Sequence, residues 1–299
     1  MKAIRQHPPG GPASLAYEEI ETPNAASGEA LVRVHAAAIT RDELEWPRER
    51  LPATPSYELS GVVAAVGSGV TDIAAGDAVY GLTDFDREGA AAEYGIVRAE
   101  FLAPKPRTLG HVESAAIPLA GLSAWQGLFV HGGLTSGQRV LIHGAAGGVG
   151  HLAVQLARAG GAYVIGTASS AAVDAVRDLG ADEVVDHSSA RFEDIVTGVD
   201  LVFDTVGGER LERSPAVVRP GGRLVSVAAE PPGASGITST YFVVEPSREQ
   251  LIELARLADR GDLRPAVAEV FDLRDARRAF ERSLDRRVRG KIVLRVSEA

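Results

Sequence analysis

The run Arg139-Val140-Leu141-Ile142-His143 is short and apolar. It leads directly into Gly144-Ala145-Ala146-Gly147-Gly148-Val149-Gly150, and then into a stretch where Val149, Leu152, Ala153 and Leu156 fall at helical spacing. A bend so poor in side chains, set between a strand and a helix, suits the binding of a diphosphate. The main chain can approach the anion closely, the free amides of the first helical turn hydrogen-bond it, and the helix dipole favours its charge. In that context the spacing Gly144-x-x-Gly147-x-x-Gly150 is the signature of a dinucleotide site. Gly144, Ala146, Gly147, Gly148, Val149 and Gly150 are the candidate contacts, and Gly150 also lets the helix pack closely on the strand. A glycine-rich turn that binds nothing is the alternative these residues leave open.

The next strand ends Ile165-Gly166-Thr167-Ala168-Ser169-Ser170. An NAD site places an acid about 20 residues past the turn, where it holds the ribose hydroxyls. Here no carboxylate follows until Asp174. That leaves room for a 2′-phosphate beside Thr167, Ser169 and Ser170, with the serine hydroxyls as donors, and points to NADPH. His187, Arg191 and Lys291 are the basic side chains that other loops could bring to it. Each serine has loop capping as its alternative role.

Such a turn needs a sheet behind it. From about Val112 onward, short apolar runs alternate with helical ones. Strands are expected at Arg139–His143, Tyr163–Thr167, Glu183–Asp186, Asp200–Asp204 and Arg223–Ala228, with helices at Val149–Ala159 and Ala171–Leu179. This alternation predicts a parallel sheet with helices on its faces. Residues 1–105 read instead as β, in runs such as Ala30–Ala36 and Gly61–Gly67 separated by Gly, Pro and Asp. After about Tyr241 the pattern is helical again (Arg248–Asp259, Leu273–Leu284) and closes on a strand at Lys291–Val296, while Glu230–Ser239 reads as a flexible loop.

Composition narrows the chemistry. The chain has 299 residues, enough for two domains, and no cysteine, which removes disulfides, thiolate catalysis and cysteine-ligated zinc. A net charge of −9 argues against a nucleic-acid surface. One basic cluster, Arg277, Arg278, Arg282, Arg286, Arg287 and Arg289, reads as a solvated helix face or a polyanion site. No run of about 18 apolar residues is present to span a membrane, and Met1–Pro8 lacks the apolar core of a signal peptide, so a cytoplasmic protein is expected.

Seven segments together resemble the medium-chain dehydrogenase/reductase family, specifically its zinc-free quinone oxidoreductase (zeta-crystallin-like) branch. They are Glu58–Gly67, Gly76–Gly81, Ala120–Trp125, the glycine bend, Asp204–Gly208, Pro220–Val225 and Gly290–Leu294. The resemblance implies an α/β fold, with a Rossmann-type doubly wound parallel sheet and a GroES-like β-rich substrate domain. It implies a GroES-like domain over residues 1–107, a dinucleotide-binding domain over 108–244, and a segment 245–299 that returns to the first. Zinc members carry a cysteine where this chain has Thr40 and a histidine where it has Tyr57, and the cysteine-rich structural zinc lobe is missing. None of the seven histidines forms an H-x-x-x-H pair, and His143 and His151 read as packing or capping groups. No metal is expected.

Further roles follow from the resemblance. Ser123 stands where the family has a small hydroxyl residue near the nicotinamide. Val206, Ala228, Phe242 and Val244 stand where the cofactor crosses the sheet and meets the main chain. The substrate is implied to lie in a cleft near the strand ends. There Tyr57 is the candidate proton or hydrogen-bond donor, with an aromatic wall as its alternative role. Thr40 is the candidate contact to substrate or nicotinamide. Arg41, unless paired with Asp42, and Trp46 are candidate substrate contacts. Without a metal to polarise an alkoxide, the expected reaction is hydride transfer from NADPH to a quinone or α,β-unsaturated carbonyl. Relatives commonly dimerise, so a homodimer is expected. A trans-acting enoyl reductase of polyketide or fatty-acid synthesis, meeting a carrier protein through the arginine-rich segment, is one alternative. A non-catalytic NADPH sensor or structural protein is the other.

Overall fold

The computed structural model describes residues 1–46, 51–285 and 287–297, and divides the chain into two units. The first comprises Met1–Leu119, Pro246–Gly261 and Pro265–Ala299; the second comprises Ala120–Glu245 and Asp262–Arg264. The break falls at Leu119/Ala120, later than the 107/108 boundary expected from sequence. The reason is local: the helix His111–Ala115 carries Ala115 into an apolar cluster with Ala36, Ala38 and Val293 of the first unit.

The first unit is built on a seven-stranded sheet. Its order is Val267–Asp272, Lys291–Arg295, Glu29–Ile39, Glu58–Val66, Ala78–Leu82, Leu102–Pro104, with Tyr94–Arg98 also pairing to Glu29–Ile39. The long strand Glu29–Ile39 organises it. Its first half pairs with Tyr94–Arg98 and its second half with Lys291–Arg295, while Glu58–Val66 runs along its other edge. Register shifts after Leu31 and Val34 bend this pair, as bulges do. From Val34 to Ile39 every residue is buried, so the end of the strand is covered on both faces. The helix Ala276–Ser283 buries Ala276, Ala279, Phe280 and Ser283, a one-sided spacing that seats Phe280 against Ile4, Ile39 and Ile292. The helical pattern in the sequence begins at Leu273, but Leu273–Asp275 forms a 3-10 turn ahead of the helix.

The second unit is a six-stranded, wholly parallel sheet ordered Glu183–Asp186, Tyr163–Ala168, Arg139–His143, Val199–Asp204, Val218–Ser226, Thr238–Tyr241. Leu141, Ile165, Val202 and Leu224 form the centre of its core. The strand order reverses between Arg139–His143 and Val199–Asp204. In doubly wound sheets the ligand crevice opens at that reversal, outside the carboxyl ends of the strands. The last strand lies partly within the stretch expected to be a flexible loop. Its residues, Thr238-Ser239-Thr240-Tyr241, are short and polar because it is an edge strand, and no apolar alternation marks it.

Candidate active site

The glycine bend sits at the end of Arg139–His143, at the strand reversal, and its geometry fits a diphosphate. Gly144 has φ of +72°, and a Cβ there would lie 2.7 Å from both Thr205 Oγ1 and Val206. A Cβ on Gly150 would lie 2.1 Å from the Gly144 carbonyl oxygen. The Ala145 amide donates to the Thr167 carbonyl and the Gly147 amide to the Gly144 carbonyl. The amides of Ala146, Gly148 and Val149 have no main-chain acceptor among the described residues, and all three residues are partly exposed. Three unclaimed donors in a side-chain-poor bend at the start of the helix Gly150–Ala159 suit an anionic ligand.

Buried side chains hold this bend. The Gly144 amide donates to Thr167 Oγ1, and the Thr167 hydroxyl contacts His143 Nδ1 at 3.2 Å. His143 Nε2 lies 3.1 Å from Ser214 Oγ, whose own hydrogen goes to the Arg210 carbonyl. The pattern is satisfied by a neutral imidazole protonated on Nε2. Burial, with a smaller effect from Arg210, pushes His143 down to about 3 and keeps it neutral. Thr167 was expected to touch the nucleotide, but it is almost fully buried and its hydroxyl is engaged in positioning the bend. His151 caps the same turn through Nδ1 to the Gly147 carbonyl, as a packing role requires.

The opposite lip is set by Asp204, a residue to which sequence reading gave no role. Its buried carboxylate accepts the Val206 and Gly207 amides and the Ser226 hydroxyl. Ser226 Oγ in turn accepts the Ala228 and Ala229 amides. Two candidate cofactor residues, Val206 and Ala228, are thus fixed through one buried pair. Burial raises the Asp204 carboxyl, and these donors oppose the rise. Phe242 packs on His131 with ring centroids 4.3 Å apart. Gln126 holds the chain just beyond Val244 at two points, donating to the Glu245 carbonyl and accepting its amide. Ser123 is buried in the helix Pro118–Trp125.

At the second strand's end the structure changes the sequence-based picture. Ser169 and Ser170 are exposed and His187 follows the adjacent strand, so these three are near neighbours in the fold. The same neighbour strand delivers a carboxylate: Ser170 Oγ donates to Asp186 Oδ2 at 2.6 Å. Counting along the chain to Asp174 missed this acid, which reaches the spot across the sheet. Arg191 is paired with Glu193. Lys291, considered as a phosphate partner, is corrected: its ammonium is buried in the first unit, 2.5 Å from Glu58 Oε1 and 3.3 Å from Thr40 Oγ1.

In the first unit the candidate substrate residues form an aromatic group backed by charge. Tyr57 stacks on Trp46 with centroids 5.7 Å apart, and Phe85 meets both rings edge-on at 5.2 and 5.4 Å. Tyr57 is 1% exposed, so its ring face is covered, whereas Trp46 and Phe85 are half-buried. Ser56, just before Tyr57, has φ of +66°, a conformation that costs a non-glycine residue on the order of 1–2 kcal/mol. Its amide donates to Glu43 Oε1 at 2.9 Å, which offsets part of that cost. Glu43 also accepts the Thr40 amide. Arg41 is exposed and donates to the Leu284 carbonyl. Among the described residues no group of three or more His, Asp or Glu is placed to hold a metal ion, and the donors at Thr40 and Tyr57 are poor zinc ligands. The basic cluster is largely neutralised: Arg277 pairs with Glu281, Arg278 with Asp275, Arg282 with Glu269 and Asp285, and Arg287 with Asp285. Arg286 lies outside the described residues.

Comparison with known proteins agrees with both units. Residues 26–107 match the alcohol dehydrogenase GroES-like domain, and residues 179–294 match the zinc-binding dehydrogenase family. The chain is 33% identical to the NADPH-dependent alkenal/one oxidoreductase, chloroplastic, of Arabidopsis thaliana, over 89% of this chain and 72% of that protein. It is 38% identical to the spectinabilin polyketide synthase system protein NorB of Streptomyces orinoci, over 81% of this chain but only 12% of that protein. The structure of the quinone oxidoreductase from Coxiella burnetii superposes with a TM-score of 0.90 at 31% identity, covering 99% of each chain.

Proposed function

The chain belongs to the medium-chain dehydrogenase/reductase family, in its quinone oxidoreductase branch, and from that premise we propose that it is a zinc-independent NADPH-dependent reductase of quinones or α,β-unsaturated carbonyl compounds. The observation that carries this reading is the bend at Gly144–Gly150, with its unclaimed amides at Ala146, Gly148 and Val149. The bound nucleotide supplies a hydride. The chain's residues do the rest. The bend holds the diphosphate, and Val206, Ala228, Phe242 and Val244, fixed by Asp204, Ser226 and Gln126, line the way to the nicotinamide. Trp46, backed by Tyr57 and Phe85, offers a flat surface to a conjugated acceptor. Hydride adds to the electron-poor carbon and charge moves to the distant oxygen, where Thr40 offers a donor. Such preorganised donors stabilise developing charge without a metal.

Ser169, Ser170 and His187 support NADPH over NADH, whereas Asp186 beside Ser170 opposes it. The balance is read from the ratio of kcat/KM for the two nucleotides, and equal values would remove the preference. Similarity to a polyketide synthase favours one second reading, an enoyl reductase acting on carrier-bound thioesters. A panel of 1,4-quinones, alkyl enones and enoyl thioesters, free and carrier-bound, separates them. NADPH oxidation by quinones or enones supports the first reading, and turnover restricted to carrier-bound thioesters supports the second. Tight NADPH binding without turnover on any acceptor would overturn both and leave a nucleotide-binding protein.

A further inference from the structure

Behind Thr40 lies a group of charges that the reaction described above does not use. The sheet register assembles it. Ile292 pairs with Ile39 across antiparallel strands, so Lys291 falls opposite Thr40. Ala38 pairs with Glu58 on the other side. Lys291, Glu58 and Glu43 are all buried, at 5%, 0% and 0% exposure. Lys291 Nζ lies 2.5 Å from Glu58 Oε1, and Glu58 Oε2 accepts the Leu119 amide at 2.9 Å. Glu43 is fixed by the Thr40 and Ser56 amides.

An ammonium has donors only. At the 3.3 Å contact with Lys291 Nζ, Thr40 Oγ1 must therefore be the acceptor. The hydrogen of the Thr40 hydroxyl has no acceptor among the described residues, and Thr40 is partly exposed where Lys291 is not. The hydroxyl thus turns its hydrogen outward with a buried positive charge behind it. We propose that Lys291, held by Glu58, is a positioning residue that fixes the Thr40 hydroxyl as a donor and lends its charge to the acceptor oxygen as that oxygen becomes negative. The inference rests on the reductase reading above. No proton leaves Lys291: hydride enters at carbon, the charge is held at oxygen by the Thr40 hydrogen bond, and the proton that completes the product comes from water.

The charge count supports the assignment. Two carboxylates beside one ammonium would cancel more than its charge. Burial, opposed by the two amides and Lys291 and reinforced by Glu58, pushes Glu43 up to about 8. At neutral pH Glu43 is then largely uncharged, and Lys291 faces one carboxylate.

The test uses the purified full chain with NADPH and whichever acceptor the wild type reduces. Thr40→Val is expected to lower kcat about 100-fold with little change in the KM for NADPH, and Thr40→Ser to retain most activity, in line with the loss of one oxyanion donor. Lys291→Met strands Glu58 without its partner, so the informative variant is Glu58→Gln with Lys291→Met. It is expected to lower kcat about tenfold in the Thr40 background and not at all on top of Thr40→Val. An independent readout is the absorbance of bound 4-nitrophenol, whose phenolate mimics the charged oxygen. The wild type should favour phenolate more strongly than the double variant. Equal kcat and equal phenolate binding in the double variant overturn the inference while the reductase reading stands. A wild type that reduces no acceptor overturns the reductase reading and the inference with it.

Discussion

At the scale of single residues, burial decides what each titratable group does. Glu43 is buried, and its folded-state pKa of about 8 lies above the ordinary 4.5. Between those values the native chain binds more protons at Glu43 than the unfolded chain, so this residue makes stability fall as pH rises through that window. His143 and His111 act in the opposite direction. Burial holds them at about 3 and about 4, so the unfolded chain binds more protons below about 6.5 and stability is lost as pH falls. The denaturant midpoint of Glu43→Gln, taken relative to the wild type at each pH, is expected to rise between pH 5 and 8, because the two histidines act equally in both proteins. The same slope in both proteins would refute the assignment. The form of the glycine bend was legible at this scale because a Cβ at Gly144 or Gly150 has no room, so glycine must recur at that spacing. Glu43 was not legible, because nothing local in Thr40-Arg41-Asp42-Glu43 says which acid turns inward. That depends on Ser56 and Lys291, which are distant in the chain.

At the scale of elements, the strand, bend and helix Arg139–Ala159 followed the sequence closely because apolar run, glycines and helical spacing agree. The strand Thr238–Tyr241 did not, because an edge strand needs no apolar face. Asp186 escaped notice because it reaches Ser170 across neighbouring strands. The bend makes two separable predictions. In Gly147→Ala the new Cβ meets only the Gly144 carbonyl, at 3.2 Å. The fold should survive, while NADPH affinity by fluorescence titration falls tenfold or more, roughly 1.4 kcal/mol. In Gly150→Ala the Cβ would sit 2.1 Å from the same oxygen, so melting temperature and binding should both drop. Native-like affinity in Gly147→Ala would mean that the bend does not face the diphosphate. Gln126→Ala, which frees Glu245, should raise the KM for NADPH without lowering the melting temperature by more than a few degrees.

At the scale of the whole molecule, the proposed reaction asks for nucleotide binding at the glycine bend of the parallel sheet and for acceptor recognition by Trp46, Tyr57 and Thr40. No helix is long and apolar enough to cross a membrane among the described residues. The edge strand Thr238–Tyr241 leaves Tyr241 and Val243 exposed, at 41% and 60%, and unpaired edges invite pairing with another chain. A homodimer through this edge is the arrangement we propose. Light scattering should give twice the chain mass for the wild type and a single mass for Tyr241→Asp, and a monomeric wild type would contradict it. The proposed reaction requires that a nicotinamide nucleotide held by this chain deliver its hydride to a conjugated acceptor. NADPH carrying deuterium at the transferable position, incubated with the protein and an enone or quinone, measures this directly. With an enone, the expected result is one deuterium on the electrophilic carbon of the reduced product and one NADPH consumed per product. With a quinone, whose hydroquinone exchanges its hydroxyl hydrogens with water, the expected result is one NADPH consumed per hydroquinone formed. An enone product formed without the label, or no product at all, would contradict it.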